Sequence, residues 1–306
     1  AGVRVLKRHY ARTPVLEGSR IAAVVIEDLA AFRTVVIRVR SSVIEASGDG
    51  EIAALAGADF DMGSEARDEY GERSAPEVRT ARVQGTSLVA IAHRTGREVR
   101  FVPPEGTPEF LPRVWHSTMA SFLHHHAGWL SPARDLMFLY VTETGGHLDT
   151  IRDDGAIYEM LLGQLWAEWD HIKNGPHAEE GRCWDLLWVS PKSGKRESRR
   201  FMGDHVLTQQ DCEDGRRFPD DIAHGGHDLD DHRPLGEGGD IFAYSVPPMY
   251  GIPYRCCYSR NIDNLLLAGR RSPGRPPRAP CPSRRWSSTW TAWTSGRPCA
   301  PPAPCG

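Results

Sequence analysis

Short runs rich in β-branched residues punctuate the first 46 positions. Residues 3–6, 20–27 and 34–40 are such runs, separated by Glu17-Gly18 and by residues 29–31, and the pattern predicts a meander of strands. A further apolar run, residues 42–46, ends in small residues, and residues 51–58 then read as a helix. Residues 59–77 are polar and Gly-rich. Beyond them Val78, Val83, Leu88 and Ile91 recur loosely at helical spacing, which predicts a helix over residues 76–93. Pro103, Pro104, Pro108 and Pro112 mark an irregular crossing. The continuous apolar run 136–141 predicts a strand buried on both faces, and Gly145-Gly146-His147-Leu148-Asp149 turns away from it.

The strongest periodic signal covers residues 156–173. Ile157, Leu161, Leu165, Trp169 and Ile172 form one apolar stripe, Asp153 or Asp154 can cap the start, and Gly175-Pro176 ends the helix. Residues 184–190 read as another strand and residues 206–210 as helical. Residues 264–268 read as a buried parallel strand ending at Gly269, the position where an open α/β sheet binds ligands. From Arg271 onward the chain is rich in Pro and Arg and contains no Leu, Ile, Val or Phe. That composition predicts a disordered tail over residues 271–306.

Bulk properties narrow the function classes. The chain has 306 residues and a net charge of -3, so no basic surface points to nucleic acid. No apolar run approaches the roughly 18 residues of a membrane span. The seven cysteines show no Cys-x-x-Cys pair, and a cytoplasmic, reducing setting is expected. The expected partner is a small-molecule substrate; the sequence leaves the oligomeric state open. The first residues read as a strand already in progress, with no initiator Met, as expected of a chain that begins inside a larger protein.

Candidate chemistry concentrates between Lys195 and Arg270. Arg196, Glu197, Arg199, Arg200 and Asp204 form a dense charged group, and arginine's fork of donors suits carboxylates and other anions. His224, His227, Asp230, Asp231 and His232 lie close together in what Gly225-Gly226 and Pro234 suggest is a loop. Histidine titrates near neutrality, so His227 or His232 is a candidate for proton transfer. The same loop could hold a metal in a hydrolase, although no metal-site spacing is present, and no metal ligand is assigned. Gly251-Ile252-Pro253-Tyr254-Arg255 reads as a rigid turn projecting Tyr254 and Arg255 into a cleft. Arg199 and Arg255 are the candidates for orienting an anion or the substrate. The Gly-bracketed segment Ala46-Ser47-Gly48-Asp49-Gly50, at a strand end and before a helix, allows close backbone approach to a cofactor.

Taken in order, three segments resemble the FAD-dependent oxidoreductases. They are Ala46-Ser47-Gly48-Asp49-Gly50 with its Ala-rich helix, the Arg196-Glu197-Ser198-Arg199-Arg200 stretch ending in Gly203-Asp204, and Ala268-Gly269-Arg270. The resemblance covers residues 1–270 and implies FAD as cofactor, held by Ala46, Ser47, Gly48, Asp49, Gly50, Ala268, Gly269 and Arg270. It implies hydride transfer from a small organic substrate, and an α/β fold: a partial, Rossmann-like FAD-binding domain with an inserted mixed α+β substrate domain. The expected divisions are residues 1–58 (part of the FAD domain), 59–250 (substrate domain), 251–270 (return strand) and 271–306 (aberrant tail). No Gly-x-Gly-x-x-Gly follows a strand in this chain, so weak FAD binding or none, and no activity, are expected of it alone. A non-catalytic remnant or binding module is the alternative function.

Overall fold

The computed structural model describes residues 2–110, 135–226, 229–232 and 242–268. The strands are β1 (His9–Glu17), β2 (Arg20–Asp28), β3 (Arg33–Arg38), β4 (Val43–Glu45), β5 (Phe60–Asp61), β6 (Thr86–Arg94) and β7 (Leu136–Thr144). They continue as β8 (Trp184–Val189), β9 (Arg200–Phe201), β10 (Asp221–Gly225), β11 (Leu229–His232), β12 (Phe242–Ser245), β13 (Tyr250–Pro253) and β14 (Leu265–Leu267). The helices are α1 (Glu51–Leu55), α2 (Arg67–Tyr70), α3 (Asp154–Asn174), α4 (Ala178–Gly181) and α5 (Gln209–Glu213). This mixture of helices with several small sheets is an α/β chain.

The described residues cluster into two compact units. The first comprises residues 2–81, 198–231 and 243–268 where described, and the second comprises 82–197 with residues 232 and 242. Residues 59–81 and 198–225 thus cluster with residues 2–58, across the boundary expected at 58/59. One physical reason is the antiparallel pairing of β5 with β9, which sets Phe60 opposite Phe201 and Asp61 opposite Arg200.

In the first unit, β1, β2 and β3 form an antiparallel meander. Its first strand begins at His9, and residues 3–6, expected as a strand, lie outside it. β4 pairs in parallel with β14, with Val43, Ile44 and Glu45 opposite Leu265, Leu266 and Leu267. Ile21, Ala53, Ala56, Ala58, Phe201, Ile262, Leu265 and Leu267 pack into one core there. Asn264 ties the meander to this pair: its Oδ1 accepts from Ile21 N at 2.9 Å, and its Nδ2 donates to Ile21 O at 2.9 Å and Ser41 O at 3.2 Å. A buried amide used in this way imitates a strand neighbour, satisfying both backbone groups of Ile21.

In the second unit, β7, β6 and β8 form an antiparallel sheet with β6 in the centre. α3 packs its stripe against this sheet, and Ile157, Leu161, Leu165, Trp169 and Ile172 are all at most 2% exposed. Full burial of each such side chain contributes roughly 1.5–3 kcal/mol. Lys173, near the helix end, donates to the carbonyls of Gly181, Arg182 and Trp184, so its buried ammonium is fully engaged. The helix expected over residues 76–93 is corrected: β6 occupies its second half, with Leu88, Ala90 and Ala92 buried on one face. Run 136–141 is a strand as expected, but burial alternates, with Met137 and Leu139 inward and Phe138 less so.

Candidate functional site

The carboxyl ends of β4 and β14 lie side by side because Ala268 N donates to Glu45 O at 2.9 Å. This brings Ala268 beside the segment Ala46–Gly50, from opposite ends of the chain. Gly269 and Arg270 lie outside the described residues. The segment itself is shaped by Glu45, a buried side chain that sequence reasoning passed over. Its Oε1 accepts from Ser47 N at 2.8 Å and its Oε2 from Ala53 N at 3.1 Å, so one carboxylate clamps both ends of the loop. Within the loop Gly48 has φ 104° and Gly50 φ 69°, a left-handed backbone that side chains with a Cβ resist. The Ser47 hydroxyl donates to the Glu51 carboxylate, while Ala46 and Ser47 stay exposed.

Arg199 reaches this loop. Its Nη1 donates to Asp49 O at 2.8 Å, its guanidinium lies 5.4 Å from the Phe60 ring centre, and its Nε is buried with no hydrogen-bond partner. The neighbouring Arg200 forms a buried ion pair with Glu65, and Phe201 packs against Phe60 with ring centres 5.5 Å apart. The charged stretch is therefore divided by residue: Arg200 holds the core together, and Arg199 faces the loop with its buried Nε unused.

Tyr254 and Arg255 follow β13 in a short 3-10 turn, Tyr254–Cys256. Arg255 is held by a carboxylate partner. Its Nε and Nη2 donate to the two oxygens of Asp220 at 3.0 and 3.1 Å, and its backbone N donates to Asp220 Oδ2 at 3.2 Å. The guanidinium holds the Asp220 carboxyl below its ordinary range. Tyr254 is 45% exposed, and its ring centre lies 5.2 Å from that of Tyr258.

The segment expected as a His/Asp loop contains strands. β10 pairs antiparallel with β13, which sets His224 opposite Gly251, and β11 pairs with β12. Arg217 Nη1 donates to His224 Nδ1 at 2.6 Å. His227 lies outside the described residues, and His232, the last residue of β11, is counted with the second unit, whereas the rest of β11, Ala46–Gly50, Arg199, Tyr254 and Arg255 belong to the first. Among the described residues no group of three or more His, Cys, Asp or Glu side chains could hold a metal ion. Nor is any helix among them long and apolar enough to cross a membrane.

Comparison with known proteins adds one finding. A family model described as FAD dependent oxidoreductase matches residues 1–272. No curated protein and no solved structure gives a significant match.

Proposed function

The chain belongs to the FAD dependent oxidoreductase family, whose cofactor is FAD, and from that premise we propose that it serves hydride transfer from a small organic substrate to the flavin. When bound, the cofactor supplies the redox chemistry, and the protein supplies binding, orientation and electrostatics. The observation that carries the reading is the parallel β4–β14 pair, which sets Ala46–Gly50 and Ala268 at one carboxyl edge. That is where ligands of open α/β sheets bind.

The residues present fit the cofactor in part. Gly48 and Gly50 keep side chains away from the loop backbone, so its amides are approachable, and the buried Nε of Arg199 is a donor awaiting an acceptor. A charge-assisted bond from such a donor is stronger than a neutral one. In this reading Ala46, Ser47, Gly48, Asp49, Gly50 and Ala268 hold the cofactor, joined by Gly269 and Arg270, while Arg199 fixes the loop through Asp49 O and offers Nε to an anionic group. The first unit would be the Rossmann-like cofactor domain and the second the inserted substrate domain. Proton transfer falls to His227 or His232. Arg255, committed to Asp220, shapes the turn that displays Tyr254.

The test is equilibrium titration with FAD, followed by flavin fluorescence. The chain should give a saturable response, weakened about tenfold in Arg199→Ala through loss of one charge-assisted bond. Gly48→Val should weaken it further by straining the loop. Affinities that are equal in the three proteins, or no saturable response from the unaltered chain, would overturn the assignment of this loop.

A further inference from the structure

The first unit carries a second group of side chains that the cofactor reading does not use. Tyr254 and Tyr258 lie four residues apart across the 3-10 turn, with ring centres 5.2 Å apart and planes inclined by 53°. The Tyr258 hydroxyl donates to Asp204 Oδ2 at 2.5 Å. Tyr254 and Asp204 are exposed and Tyr258 is half-buried, so the three side chains meet solvent. Beside the carboxylate the Tyr258 phenol is pushed up to about 12, and it stays a neutral donor at physiological pH.

The charges around this group are unevenly satisfied. Arg255 is held in a fork by Asp220, and Arg260 Nε is bound to Asp59 at 2.7 Å. His205, next to Asp204 in sequence, faces Asp211 at 3.4 Å, and Asp211 is also paired with Arg216 at 2.8 Å. Among the described residues Asp204 has no basic partner; a neutral hydroxyl is the group bound to it. A carboxylate with no ion-paired cation of its own stands beside two aromatic rings, whose faces carry negative potential. An anion would be repelled here, and a neutral ligand would leave the charge unanswered.

We infer that Asp204, Tyr254 and Tyr258 form a binding site for an organic ammonium group. The carboxylate supplies the charge, the two rings supply cation–π faces and apolar contact, and the Tyr258 hydroxyl fixes the orientation of the carboxylate. Arg255 contributes indirectly: its fork to Asp220 removes a competing cation and anchors the turn carrying Tyr254. The sequence offered Arg255 at this turn for orienting an anion or the substrate; the geometry points to a cationic ligand beside it.

Choline is the probe, with its uncharged carbon isostere 3,3-dimethylbutan-1-ol as control, titrated into the whole chain by calorimetry at low ionic strength. Choline should bind at least about tenfold more tightly than the isostere, because only it answers the Asp204 charge. Asp204→Asn should lose about tenfold in choline affinity, and Tyr254→Leu about threefold. Tyr258→Phe, which keeps the ring, should change it less than Tyr258→Leu. Asp204 and Tyr254 are exposed, so these variants should melt like the parent and any loss will report binding. Equal binding of the two probes, no binding of choline, or an Asp204→Asn variant with unchanged affinity would each overturn the inference. No flavin enters the measurement, so its failure and failure of the cofactor reading are distinguishable.

Discussion

Glu72 offers the sharpest test of the energetics, because it is a carboxyl group inside the first unit with almost no compensation. It is 1% exposed. One oxygen accepts from Gln209 N at 2.7 Å at the start of α5, and the other is buried without a hydrogen-bond partner. The charged groups nearest in effect are Glu65, Arg200 and Asp211, and Arg200 is already ion-paired with Glu65. Burial therefore dominates and raises the Glu72 carboxyl from its ordinary value to about 8. In the unfolded chain the same group titrates near 4.5. Below about pH 4.5 both states hold the proton, and the ionisation of Glu72 costs the fold nothing. Between about 4.5 and 8 the unfolded chain releases its proton while the native one keeps it, so stability falls as pH rises. At about 1.4 kcal/mol for each pH unit, the loss at neutrality is on the order of 3 kcal/mol, levelling off above pH 8. Glu72→Gln mimics the protonated acid and removes the titration. Urea unfolding of both proteins, followed by tryptophan fluorescence at a series of pH values, should give similar stabilities near pH 4. The variant should gain steadily up to about pH 8. Two parallel pH profiles would show that Glu72 is ionised in the native protein and that this reasoning is wrong.

Two further substitutions probe the frame around the candidate loop. Asn264→Ala should cost about 2–4 kcal/mol, since it leaves both backbone groups of Ile21 buried without their partner, as urea midpoints will report. Asn264→Asp should be worse at pH 7, where a carboxylate faces the carbonyls of Ile21 and Ser41, and should recover in acid as the group becomes a donor. Gly63→Ala should cost on the order of 3 kcal/mol or more, because φ is +86° and the new Cβ would lie 2.2 Å from the Thr80 carbonyl oxygen, a backbone atom with little freedom to move. Thermal melts that leave Gly63→Ala within a degree of the parent would contradict the packing of residues 63 and 80.

What the sequence revealed depended on whether one segment contained its own evidence. The stripe of α3 repeats every three to four residues on one face, so its core residues could be read directly, and all five are buried. β6 defeated the same logic because its inward positions include Ala90 and Ala92. Small residues carry little hydrophobic signal, and the larger Leu88 and Ile91 are spaced as a helix would space them. The resemblance of the whole segment order gave a return strand over residues 264–268 but not its partner β4, since three-residue strands carry almost no periodicity of their own. Glu45, Asp220 and Asn264 were invisible as structural residues, because their partners are fixed by tertiary folding and not by sequence spacing.

The glycines of the histidine segment show the limit most directly. Gly225 invited a loop, since glycine in a polar run is the usual mark of a turn. In the structure it lies within β10 opposite Tyr250 of β13, and a Cβ at Gly225 would lie 2.2 Å from the Tyr250 ring. At Gly251, opposite His224, a Cβ would lie 2.1 Å from a carboxylate oxygen of Asp221. Both glycines leave room for a side chain crossing the sheet, which is the other physical use of glycine in a strand. The two uses demand the same residue and leave the same trace in sequence; only the identity of the neighbouring strand separates them. Because that neighbour lies about 25 residues away, His224 read as part of a loop, whereas pairing fixes its backbone in a strand and sets its ring against Arg217.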